Sequence, residues 1–235
     1  MILDGFLVAK LVSGWLFGFS TLISIINPFG GAFIFQGMTQ WLTPRERARL
    51  ARAIALNSFV VLVVALFLGA RVLGFFGISL EALRIAGGLA VAVAGWRMLS
   101  EEPEATAERR GGAPEAMDTA PVDRMAFFPL TLPLTTGPGS IAAAIALGAE
   151  RQSAGAASGD APVAAAAAML IAATVAATVW IFYANAAALA RRLGPQGTLV
   201  ATKLTAFILL CIGVQIMLTG ATDALRSALA GGGGG

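Results

Sequence analysis

Residues 11–44 form a run without a single charged side chain, and no one straight helix holds such a run across a bilayer. At ~1.5 Å per residue it would be about 50 Å long, against a hydrocarbon core ~30 Å thick. The chain marks where the run divides. Asn27-Pro28-Phe29-Gly30-Gly31 sets a residue without an amide donor beside two poor helix formers. Irregular backbone at membrane depth is tolerated only where protein or a water-filled cavity satisfies it. Residues 27–31 therefore read as a helix break facing an internal site. A second stretch of the same kind, Thr135-Thr136-Gly137-Pro138-Gly139-Ser140, follows about 110 residues later.

Composition places the whole chain in the membrane. It is 57% hydrophobic and 12% charged, with a mean hydropathy of +0.81, whereas soluble domains carry roughly 25% charged residues. The sequence contains no histidine and one cysteine, Cys211. That excludes an internal disulfide, cysteine metal clusters and histidine-based sites, so no metal and no cofactor is expected. The net charge of +3 reads as loop arginines beside a lipid bilayer, with no nucleic-acid footprint. Asp4 lies where a signal peptide would be basic, so the first apolar segment is expected to stay as a span.

Six spans emerge in order. The first covers 6–26, followed by the break and a short apolar piece over 33–42, with Trp15 and Trp41 as interface anchors. Thr43-Pro44-Arg45-Glu46 is a helix start with cap, proline and capping-box glutamate. The second span is 53–70. The third is 80–99, which crosses only if Arg84 and Arg97 reach opposite interfaces. Residues 100–124 read as a flexible cytoplasmic linker. The fourth span, 125–147, carries Pro129, Pro133 and Pro138, which argue against a regular helix. Residues 150–162 read as a small-residue loop, 163–190 as the fifth span, 204–222 as the sixth, and 223–235 as a disordered glycine-rich tail.

The charges orient these spans. With both termini periplasmic, the cytoplasmic side holds Arg45, Arg47, Arg49, Arg52, Arg97, Arg109, Arg110, Arg124, Arg191, Arg192 and Lys203. The other side keeps only Lys10, Arg71, Arg84, Arg151 and Arg226. The positive-inside rule favours this arrangement over its reverse.

Aligning Pro28 with Pro138, and Gly95 with Gly213, sets three spans before the linker (residues 1–99) and three after it (125–222). An odd number per half inverts the second copy. The expected fold is an all-α membrane protein: six transmembrane helices in two inverted three-helix repeats, the first and fourth helices broken.

Several of these stretches resemble the MarC family of bacterial inner-membrane proteins. The likeness rests on Asn27-Pro28-Phe29-Gly30 and on the run from Pro129 to Ile141, PLTLPLTTGPGSI. Ala86-Gly87-Gly88 and Gly213-Val214-Gln215-Ile216-Met217-Leu218-Thr219-Gly220 also fit. The resemblance covers about residues 14–220. It implies an inner-membrane location and a six-span architecture similar to the lysine-exporter superfamily. The family was named for antibiotic resistance and includes carriers of small neutral amino acids such as alanine and glycine.

An amino-acid zwitterion needs donors for its carboxylate and acceptors for its ammonium. Broken helices supply both without formal charge. The candidate binding residues are Asn27, Pro28, Phe29 and Gly30 at the first break, and Thr136, Gly137, Pro138, Gly139 and Ser140 at the second. The competing reading makes Asn27 a kink cap and the prolines packing elements; the recurrence of the break favours a site. Interhelical hydrogen bonds explain Gln36, Asn57, Asn185 and Gln215 at least as well as a site does. No Asp or Glu lies centrally in any span, so proton coupling has no obvious carrier. A carrier of small neutral solutes is the leading expectation. A membrane scaffold or accessory protein without transport, and an exporter of another small molecule or drug, are the alternatives. Without histidine or paired intramembrane carboxylates, an enzyme is not expected.

Overall fold

The first break is a single residue wide. In the computed structural model, which describes residues 2–100, 125–158 and 160–231, α1 (Ile2–Ile26) stops at Asn27 and α2 (Pro28–Met38) starts immediately after it. Pro28 bars the preceding residue from the right-handed helical region, and asparagine tolerates the left-handed one. Asn27 accordingly has φ 50° and ψ 64°. Its side chain accepts a hydrogen bond from the Gly30 amide at 3.1 Å. The backbone stays satisfied on both sides: Asn27 N–H donates to Ile23 O (2.9 Å), and Asn27 O accepts from Gly31 N–H (3.0 Å). The break expected over 27–31 is therefore narrower than the sequence suggests. Gly30 and Gly31 sit inside α2, because proline suits the first turn of a helix and the capped turn tolerates the glycines.

The next helix starts as its sequence dictates. Glu46 accepts from the Thr43 amide (2.9 Å), the Thr43 hydroxyl accepts from the Glu46 amide (3.3 Å), and Pro44 opens α3 (Pro44–Phe75). Arg47 donates to Thr39 O and Leu42 O, closing the C-terminal end of α2. One face of α3 buries Leu50, Ile54, Leu62 and Leu66; another leaves Leu56, Val60, Val64 and Leu68 about half exposed at four-residue spacing. A helix apolar on both faces has protein on one side and lipid on the other.

After α4 (Leu80–Ser100), the expected linker lies outside the described residues apart from Ser100. The proline-rich stretch then forms a wide-turned segment, Ala126–Thr135, interrupted by extended backbone at Phe128 and Leu132. Threonine hydroxyls reach back five residues along it, from Thr131 to Ala126 O (2.6 Å) and from Thr135 to Leu130 O (2.7 Å). α5 (Pro138–Ser158) follows and continues through most of the loop expected over 150–162. The remaining helices are α6 (Ala161–Ala184) and α7 (Ala186–Gly231), the latter kinked at Gly194, where φ is 66°. α7 carries the chain past residue 222, so the tail expected from 223 onward is helical as far as Gly231; 232–235 lie outside the described residues.

Every element among the described residues is helical. Five stretches are long and apolar enough to cross a membrane: 7–38, 44–75, 80–100, 161–184 and 186–229. The expected fourth span is not among them, because its apolar length is divided at Thr136–Gly137 and α5 ends in polar sequence.

Ion pairs hold one end of the bundle. Arg84 pairs with Asp223 (2.7 Å) and with Glu150, and Lys10 pairs with Asp160. Arg84, expected to reach a lipid interface, is engaged by carboxylates on α5 and α7. Trp15 likewise turns inward and donates to Thr174 on α6 at 3.0 Å. Toward the other end, Lys203 donates to Leu99 O at 2.6 Å and to Met98 O.

The most intimate helix pair is α4 with α7. A Cβ built on Gly213 would lie 2.3 Å from Ala92 N and 2.7 Å from Gly88 O; one on Gly88 would lie 2.7 Å from Gly213 O. The two backbones touch, as small residues permit between membrane helices. Gly213→Val is expected to lower the stability of the purified protein by roughly 1–3 kcal/mol through overpacking. Leu218→Ala, at a side chain 57% exposed, is expected to stay within about 0.5 kcal/mol. Thermal or denaturant unfolding in detergent would check both; equal effects would contradict the crossing.

Candidate functional site

The Asn27 turn opens onto a cavity of about 360 Å³ between α1, the start of α2, α6 and α7. Its polar groups are Asn27, Ser24, Thr178 and Thr205. Phe29 and Phe182 stand edge to face in its wall, their ring centroids 6.1 Å apart. Ile208, Leu209 and Ile212 of α7 complete it with Ile23 and Pro28. No charged side chain lines it.

The hydrogen bonds already made decide what these groups still offer. Ser24 donates its hydroxyl hydrogen to Ser20 O (2.7 Å), Thr178 to Thr174 O (2.8 Å) and Thr205 to Ala201 O (2.6 Å). A hydroxyl has one hydrogen and two lone pairs, so all three remain acceptors. Asn27 has committed its Oδ1 to the Gly30 amide, which leaves the Nδ2 amine as a double donor. The first turn of α2 adds the positive end of a helix dipole. One donor site, three acceptors and an aromatic wall are thus arranged without formal charge.

Gly30 does not line the cavity but shapes it. A Cβ there would lie 2.7 Å from both Asn27 Nδ2 and Thr205 Cγ2. Its missing side chain lets these two cavity residues approach one another.

The second break lies elsewhere. Thr136, Gly137, Pro138, Gly139 and Ser140 are absent from this cavity's lining. Thr136 is fully buried and donates its amide to Thr131 O (2.8 Å). Ser140 donates to Gly137 O (2.9 Å), and Gly137 O also accepts from the Ile141 amide (3.1 Å). Pro138 is the first residue of α5. The space beside Gly139, expected to admit a ligand, is filled by α4: a Cβ there would meet Val91 Cγ2 at 1.9 Å and Gly87 O at 3.1 Å. The hydroxyl hydrogens of Thr136 and Ser140 are thus spent on the backbone carbonyls of Thr131 and Gly137, and Gly139 packs against α4.

What joins the two breaks is Tyr183, the chain's single tyrosine, which sequence reasoning missed. It is fully buried near the end of α6 and stacks on Phe35 with ring centroids 4.9 Å apart. Its hydroxyl lies 2.9 Å from Thr135 Oγ1. Because Thr135 spends its own hydrogen on Leu130 O, Tyr183 is the donor. On the other side, a Cβ at Gly31 would come within 2.5 Å of the Tyr183 hydroxyl. Glycine at 31 therefore admits the ring that ties α2 to the wide-turned segment. A lone tyrosine two residues before Asn185 in an apolar span was the available signal. Asn185 itself donates to Ile181 O (2.7 Å) at the end of α6. Among the described residues no cluster of three or more potential metal ligands is present.

The profile of a family described as MarC family integral membrane protein matches residues 13–225. The chain is similar to the inner membrane protein MarC of Salmonella typhimurium (strain LT2), 32% identical over 214 residues, which cover 89% of this chain and 95% of the relative. The protein of the same name from Escherichia coli (strain UTI89) is 32% identical over 212 residues, with the same coverage of both chains. No solved structure matches.

Tyr183→Phe removes a neutral hydrogen bond but leaves Thr135 still bonded to Leu130 O. The expected loss of stability is about 0.5–1.5 kcal/mol. Gly31→Ala, which drives a methyl group into the buried ring, is expected to cost more, roughly 1–3 kcal/mol. Parallel melts of the two variants would check the order; the reverse order would contradict the placement of Tyr183.

Proposed function

The chain belongs to the MarC family of integral membrane proteins, and from that premise we propose that it is a carrier of small neutral solutes. The solute class is amino acids such as alanine or glycine, moved across the bacterial inner membrane by alternating access. The relatives are named as inner membrane proteins, in keeping with that location. The observation that carries the reading is the cavity at Asn27. Its donor, its three hydroxyl acceptors and the α2 dipole complement a carboxylate and an ammonium at once. The lack of charge disfavours a free cation or anion, which would lose hydration without a counter-charge. On this reading the protein is a carrier and not an enzyme.

The reading brings an architecture with it. The wide-turned segment and α5 together serve as the fourth of six crossings, and the chain forms two inverted halves. Supporting this, each break is followed by a helix that starts on proline, Pro28 in one half and Pro138 in the other. Substrate sites beside discontinuous helices are the common pattern in such folds. The excess of arginine and lysine on one side sets both termini in the periplasm. Here Asn27, Pro28 and Phe29 contact solute and Gly30 shapes their cavity. Thr136, Gly137, Pro138, Gly139 and Ser140 act through the packing of the second break. Topology reporters fused at Asp160 and after Arg192 should read periplasm and cytoplasm respectively; the opposite pattern overturns the orientation.

Transport itself is tested by counterflow of labelled alanine and glycine in proteoliposomes. Asn27→Ala removes one hydrogen-bond partner worth roughly 0.5–1.5 kcal/mol, so solute binding should weaken about 2- to 12-fold. Ala166→Val, at an exposed position on α6, should leave counterflow unchanged. Gly139→Val should reduce folded protein more than it alters affinity, since α4 fills the adjoining space. Absence of counterflow by stable wild-type protein would sink the assignment. Wild-type rates for Asn27→Ala would remove the site from this cavity.

A further inference from the structure

A second cavity, of about 480 Å³, lies among α1, α4, α5 and α7. Phe17, Thr21 and Ile25 line it from α1, and Gln215, Ile216 and Thr219 from α7. Its rim carries Arg84 and Glu150. It falls within the ~300–1,000 Å³ range of small-molecule sites, apolar with a few convergent polar groups.

An apolar layer separates this space from the Asn27 cavity. Ile25, Val91 and Leu209 form a small buried cluster, packed round by Met98, Ala143, Ile212 and Ile216. Ile25 and Ile216 face the larger cavity, whereas Leu209 and Ile212 line the smaller one. One small cluster thus supplies Ile25 and Ile216 to the wall of one space and Leu209 and Ile212 to the wall of the other.

The rim has its own chemistry. Arg84 engages Asp223 through Nη1 at 2.7 Å and Glu150 through Nη2. One guanidinium faces two carboxylates, and Glu150 also lies in the field of Arg151, so an incoming ammonium takes Glu150 in exchange with these guanidiniums while Arg84 keeps Asp223. Conversely, a ligand carboxylate can replace one of the two on Arg84. A zwitterion exchanges into such a cluster without changing its net charge, and neither a simple anion nor a simple cation does. Gln215, Thr21 and Thr219 offer further polar contacts, and Phe17, Ile25 and Ile216 take an apolar side chain.

We propose that this cavity is a second binding site for the same class of solute, a capture site that holds an amino-acid zwitterion at Arg84 and Glu150 while the Ile25–Leu209 layer shuts it off from Asn27. The inference rests on the carrier reading above and adds to it an outer subsite with charged recognition.

Equilibrium binding of tritiated L-alanine to the purified full-length protein in nanodiscs tests it. Wild type should bind about two molecules per chain in two components. Arg84→Gln should weaken one component roughly 10- to 100-fold, the size expected for a charge-assisted contact. Thr219→Phe, at an exposed position whose side chain lines the cavity, should remove that component by filling the space while keeping every charge. It guards against misfolding of Arg84→Gln. Alanine methyl ester and propionate, each lacking one charge, should fail to compete for the Arg84-dependent component, and Asn27→Ala should affect only the other. If Asn27→Ala abolishes all binding while Arg84→Gln and Thr219→Phe match wild type, the outer site is overturned and the carrier reading stands. If stable wild-type protein binds no zwitterion at all, both fall together.

Discussion

A backbone polar group in hydrocarbon must find its partner within the protein, and the rest of the structure follows from how each break meets that demand. At Asn27 the solution is local. The residue passes its own amide and carbonyl to Ile23 and Gly31, and its side chain serves Gly30, so the chain reverses helical hand for one residue without losing these bonds. The by-product is a polar side chain held rigidly at a helix junction, which is what a binding site requires. At the second break, the Thr131 and Thr135 hydroxyls each donate to the carbonyl five residues back. The stretch lines no part of the Asn27 cavity, and α4 packs against its Gly139.

Close packing then carries the breaks into register. α4 and α7 meet backbone to backbone at Gly88 and Gly213, which sets Leu209 and Ile212 against Ile25. Tyr183 spans from Gly31 to Thr135 and couples the two irregular segments through one hydroxyl and one ring. Any movement of α2 relative to the wide-turned segment has to move or break that contact. The ion pairs of Arg84 close the same bundle at its far end, tying α4 to both α5 and α7.

Much of this was legible in the chain. Pro28 and Pro138 were legible as places where regular helix is interrupted, and each is the first residue of the helix that follows, where proline's missing amide is harmless. Thr43-Pro44-Arg45-Glu46 declared its capping box by spacing alone. Less legible were the ends of helices in alanine-rich sequence. Residues 150–158 looked like a loop through their small and polar side chains, yet alanine is the best helix former and α5 runs on through them. Of the candidate binding residues, only those at the first break were legible as neighbours of the cavity. Asn27, Pro28 and Phe29 line the cavity, while the glycine beside Pro138 answers to α4. A glycine that admits a ligand and one that admits a neighbouring helix are written identically.

The sequence by itself determined that the chain is built of apolar helices and that regular helix is interrupted near Asn27 and near Gly137. These properties depend on runs of charge-free residues and on proline, glycine and asparagine backbone chemistry, all local. Only the tertiary structure decided which break opens onto a cavity. Thr178 and Thr205 become acceptors of the Asn27 site because α6 and α7 bring them there, and in the sequence they are two threonines among many. Tyr183 gains its place in the same way, from a partner 48 residues away. Contacts between distant segments are set by how helix surfaces fit, and that fit is a property of the packed bundle, absent from any short stretch of chain.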